Sequence, residues 1–123
     1  MEAIPQKNEP PPIDVARLSD TFGDDPEFLV EMYGLYVDDA GNRLAELDAA
    51  LSTADTKKIE SVAHTLKGAS GNVGAGRMSA LAAELEQVDL AQTPQKAQDL
   101  AAALNAEFEA VCAFVKQYVH SPI

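Results

Sequence analysis

From Ile13 onward the apolar residues recur at spacings of three and four, and no segment of five or more residues alternates apolar and polar. That periodicity belongs to amphipathic helices and excludes half-buried strands. Helix-start signals divide the pattern. Asp14 is placed to cap a short first helix ending near Phe22-Gly23. Asp25-Pro26 is a cap followed by proline at the first helical position, where a missing N–H costs nothing. The helix it opens carries Phe28, Met32, Leu35, Ala40, Leu44, Leu47 and Leu51 as its apolar face. Ser52 to Asp55 interrupts it, and Asp55 caps a stretch with Ile59, Val62, Ala63, Leu66, Ser70 and Val73 on one face. Gly74 and Gly76 bracket a tight turn, after which Met78, Leu81, Ala82, Leu85 and Val88 mark a shorter helix. Thr93-Pro94 repeats the cap-then-proline signal before a long last helix running through Leu104, Phe108 and Val111 to Tyr118. The expected fold is all-α: an antiparallel up-down four-helix bundle with a short extra N-terminal helix.

A chain of 123 residues makes one domain, expected over residues 13–120. Four of the seven prolines fall within residues 1–12, so that stretch is expected to be a disordered, proline-rich tail. The net charge of −11 repels phosphate backbones and anionic membranes, which excludes nucleic acid and membrane as first partners. No run approaches the roughly 18 apolar residues of a membrane span. The opening residues lack a basic, apolar leader, and Cys112 is the single cysteine, so a reducing cytoplasm is the expected location.

The stretch Ala63 to Gly74 departs from ordinary helix chemistry. Gly68 and Gly71 stand inside a helical pattern, where each costs about 1 kcal/mol relative to alanine. On a wheel with Ile59 at zero, His64 falls at about 140°, Gly68 at about 180°, Gly71 at about 120° and Lys67 at about 80°. The histidine and the glycines therefore share a face turned away from the apolar side. Lys57, Ser61 and Ala75 extend the strip. Missing side chains let another protein approach the helix backbone. Imidazole supplies a neutral nitrogen nucleophile near pH 7, and a lysine one turn on can neutralise an arriving phosphoryl group. The plain alternative is a surface histidine on a weakened helix.

The run His64-x-x-Lys67-Gly68-Ala69-Ser70-x-x-Val73-Gly74 resembles the signature of the histidine-containing phosphotransfer (HPt) domain family. Ile13-Asp14 and Gly23 to Leu29 resemble that family's entry into its first bundle helix, and the resemblance spans about residues 13–119. It implies a phosphorelay intermediate, a carrier rather than an enzyme. His64 would accept a phosphoryl group from a receiver-domain phospho-aspartate and pass it to another. Lys67 would stabilise the phosphoryl group, Gly68 would leave room for the receiver loop, and Ser70 and Gly74 would keep the packed side and turn small. Twenty-two positions after the histidine stands Glu86, which in this family can orient the imidazole; Gln87 could do so if the turn differs. The implied partners are response-regulator receiver domains and a hybrid sensor histidine kinase. No cofactor is expected, because Mg²⁺ would come with the receiver. An exposed working strip favours a monomer.

Other features carry less. His120 has no motif around it, and Cys112 reads as a packing residue. Asp24-Asp25 and Asp38-Asp39 do not match a metal loop, and no glycine-rich nucleotide loop of the P-loop type occurs. Arg77 is a candidate for steering an acidic partner. Residues 57–77 hold Lys57, Lys58, Lys67 and Arg77 against Glu60 alone, so the strip is expected to be a basic island on an acidic body. A helical adaptor that binds a receiver or kinase without carrying phosphate is the alternative function. An enzyme with a phosphohistidine intermediate would need a second catalytic group and a substrate pocket, and no such cluster is evident.

Overall fold

The computed structural model describes residues 11–23 and 25–120. Ten of the twelve residues of the expected tail lie outside the described residues. Among the described residues five helices follow in order: α1 Val15–Phe22, α2 Pro26–Ser52, α3 Thr56–Asn72, α4 Gly76–Glu86 and α5 Pro94–His120. There is no strand among the described residues. α3 lies between α2 and α4, and α5 closes the other side against α2 and α4. This is the expected bundle with a short helix ahead of it.

Side-chain caps set three of the helix starts. An Asp14 carboxylate oxygen accepts from the Arg17 N–H at 3.1 Å, Asp25 from Glu27 at 3.1 Å and Asp55 from Lys58 at 3.2 Å. Each satisfies a donor that the helix itself leaves unpaired. α4 ends at Glu86, so Val88 packs against the core from the following loop rather than from the helix.

The buried face of α2 differs from the expected one in its first half. Leu29, Tyr33 and Tyr36 are buried, while Phe28 is 44% and Leu35 66% exposed. Both sets satisfy helical spacing, and they differ by one residue, or about 100° of rotation. Contacts from other helices decide between them. The Tyr33 ring packs edge-on against Tyr118 of α5, with centroids 5.2 Å apart. The Tyr36 hydroxyl meets Ser70 Oγ of α3 at 2.7 Å in the core. Burial pushes the Tyr36 phenol up to about 12, so it stays a neutral hydrogen-bonding group.

The start of α1 straps the α3–α4 turn. Ile13 and Leu18 are buried, and the Asp14 amide donates to the Gly74 carbonyl at 2.9 Å. Gly74 holds φ at 77°, a left-handed conformation that glycine adopts without strain. The turn sends α4 back antiparallel along α3, which brings the end of α4 beside the middle of α3. No helix among the described residues is long and apolar enough to cross a membrane.

Candidate functional site

His64 and Lys67 are three apart on α3 and share a face by helix geometry. The His64 side chain is 69% exposed. Glu86, in the last turn of α4, reaches both. Its Oε2 lies 2.8 Å from His64 Nδ1, and its Oε1 accepts from Lys67 Nζ at 2.7 Å. The hydrogen bond from Lys67, and then that from His64, hold the Glu86 carboxyl below the usual carboxylate range. Glu86 is therefore ionised at neutral pH and can only accept. Nδ1 is therefore the donor in this contact, and in the neutral ring the lone pair is on Nε2. The carboxylate thus selects one tautomer and fixes the ring's orientation, as an acidic partner does for other functional imidazoles. Gln87 is exposed and caps α4 through its backbone. Glu86 is the residue that faces His64.

The surroundings of the histidine are bare on one side and braced on the other. Gly68 is exposed, and a Cβ built there would meet nothing within 4 Å. The chain's own packing does not require this glycine, and its effect is to leave the α3 backbone open one turn beyond His64. Gly71 is half-buried and turned toward α4, where a Cβ would lie 3.5 Å from Ser79 Oγ. Ser79 donates its hydroxyl to the Lys67 carbonyl at 2.9 Å. Ser79 and Glu86 share a flank of α4 and hold the Lys67 segment at two points. Sequence reasoning missed Ser79. The available signal was its distance from the Gly74 turn, close to that of Lys67 on the other side.

Lys57 and Ser61 are exposed on α3, as expected. Ala75 is not on the strip: it is fully buried. α3 stops at Asn72 and the chain reverses at Gly74, so the wheel of α3 cannot be extended to Ala75. Arg77 lies on the other flank of α4, and its Nε is 3.5 Å from Glu107 of α5. It serves the α4–α5 contact and does not join the His64 strip.

The basic island also needs correcting. Lys58 pairs with Glu46 at 3.3 Å, Lys67 with Glu86 at 2.7 Å and Arg77 with Glu107 at 3.5 Å. Three of the four cations meet a carboxylate from another helix. Counting charge along a segment omits partners that folding brings in, so the local excess of positive charge is largely offset.

The described residues form a helical bundle in which an exposed histidine is held by a carboxylate beside an open helix face, so a ring nitrogen is accessible from solvent. The Hpt domain family model matches residues 31–114. The chain belongs to the Hpt domain family. A solved structure, histidine-containing phosphotransfer protein B (HptB) from Pseudomonas aeruginosa PAO1, superposes with a TM-score of 0.76 at 31% identity. That match covers 89% of this chain and 95% of the other. A search of the curated proteins finds no match. The chain is accordingly a histidine phosphotransfer protein of phosphorelays, of a carrier family that works with receiver domains and histidine kinases.

Proposed function

We propose that His64 is the phosphoacceptor and that its Nε2 shuttles a phosphoryl group between aspartates of receiver domains. Nε2 attacks phosphorus, the P–N bond forms, and the aspartyl P–O bond breaks, its electron pair leaving with the receiver carboxylate. The proton stays on Nδ1. The ring gains positive charge in this step, and the Glu86 carboxylate lies where that charge develops. Lys67 supplies a cation to the phosphoryl oxygens. The reverse sequence delivers the group to a second receiver. Gly68 allows the receiver to approach the α3 backbone, with Lys57 and Ser61 at the edge of the contact; Gly71 faces α4 and lies outside it. The upstream donor is a hybrid sensor histidine kinase, Mg²⁺ is supplied by the receiver, and the carrier works as a cytoplasmic monomer.

The observation that carries this reading is the 2.8 Å contact from His64 Nδ1 to Glu86, on an imidazole otherwise open to solvent. The test mixes the chain with a phosphorylated receiver domain and follows the label. Acid-labile label on the wild type and none on His64→Gln is the expected result. Equal label on both removes His64 from the role. Tight binding of the receiver with no transfer would make the chain an adaptor.

A further inference from the structure

The Lys67 ammonium is already occupied. Its Nζ sits 2.7 Å from Glu86 Oε1, while the other oxygen of the same carboxylate accepts from His64. The Lys67 side chain is 38% exposed and that of Glu86 20%, so the pair is partly shielded. A cation in such a contact has lost part of its hydration and gained one anion. An incoming phosphoryl group is a second anion seeking the same three donors. Ser79 holds the Lys67 backbone through its carbonyl, so the main chain is braced and only the side chain can readily move between the two anions.

We infer that Glu86 competes with the phosphoryl group for Lys67, so that phosphorylation at His64 requires the lysine to exchange one anion for the other. The inference rests on the phosphoacceptor reading of His64. Glu86 is then a positioning residue with two opposed effects. It favours transfer by holding the proton on Nδ1, and it restrains transfer by retaining the cation. The net outcome is a phosphohistidine whose stability is moderated, which suits a group that must be handed on.

The competition has a signature in coupling. If Lys67 can serve both anions at once, its contribution is the same whether or not Glu86 is charged. If it must choose, its contribution grows when Glu86 is neutral. Phosphoramidate is the probe: the His64 nitrogen displaces ammonia from phosphorus, forming one P–N bond as another breaks. Initial labelling rates are measured for the full-length wild type, Lys67→Gln, Glu86→Gln and the double variant. Glu86→Gln retains a side-chain oxygen for Nδ1–H and loses the charge, and an imidazole ¹H–¹⁵N spectrum checks the tautomer in each variant. Removing Lys67 is expected to slow labelling about threefold more in the Glu86→Gln background than in the wild type, the scale of a partly exposed ion pair. A merely structural role for Glu86 would not produce that coupling. Equal factors in the two backgrounds overturn the competition and leave the phosphoacceptor reading intact. Absence of label at His64 in the wild type removes that reading, and this inference with it.

Discussion

Asp14 and Gly74 meet backbone to backbone: the Asp14 amide donates to the Gly74 carbonyl at 2.9 Å, and a Cβ on Gly74 would lie 2.8 Å from the Asp14 carbonyl oxygen. The residue before the first helix therefore closes the turn that sets α4 against α3. That turn starts α4 back along α3, toward the point where Glu86 meets His64.

Gly74→Ala is expected to destabilise the fold by about 2–3 kcal/mol. Part is the left-handed backbone at φ 77°, and part is the clash with a backbone atom that cannot swing aside. Urea denaturation followed by far-UV circular dichroism measures it. A midpoint equal to the wild type's would show that the turn relaxes at no cost.

Gly68→Ala is expected to behave in the opposite way. A Cβ there meets nothing, and alanine favours a helix by about 1 kcal/mol over glycine, so stability rises. Transfer from a phosphorylated receiver should nevertheless slow, because the added methyl group stands where the partner approaches. Labelling by the small donor phosphoramidate should be unchanged. A variant that is more stable and equally fast with the receiver would show that Gly68 has no part in docking.

Glu86→Ala removes the acceptor that holds the Nδ1 proton. The imidazole then samples both tautomers and more orientations, and transfer from a receiver is expected to fall about tenfold. The ¹H–¹⁵N spectrum of the ring reports the tautomer directly. An unchanged Nδ1–H tautomer in this variant would remove Glu86 from the orienting role.

The clamp has a defined pH dependence. The folded-state pKa of Glu86 is depressed, through Lys67 first and His64 second. A depressed carboxylate contributes stability that is fully present above its unfolded value and is lost as pH falls through its folded value. The contact should thus persist from neutrality down past the ordinary carboxylate value of 4.5 and release only below it. A ¹³C carboxyl titration of Glu86 measures this. In Lys67→Ala the midpoint should move up toward 4.5, because the largest of the lowering causes is gone.

Much of this molecule is legible in its sequence. The caps at Asp14, Asp25 and Asp55 bond to backbone two or three residues away, so neighbouring residues suffice to place those helix starts. The strip of His64, Lys67 and Gly68 follows from spacing along a single helix. The choice of Glu86 over Gln87 did not. Neighbouring positions on α4 point about 100° apart, and only the path of the chain through Gly74 determines which of them faces α3. The same holds for α2, where two apolar faces one residue apart compete, and Tyr118 and Ser70 settle the matter from other helices.

The local pattern of the chain thus specifies the set of helices, three of their capped starts and the exposed strip of His64, Lys67 and Gly68, because caps and helical periodicity act within about one turn of chain. Packing between helices sets which face of α2 is buried, places Ala75 inside, and brings Lys58, Lys67 and Arg77 each to a carboxylate from another helix. Those outcomes depend on contacts between segments far apart in the chain, and a rotation of one residue is enough to exchange one partner for another.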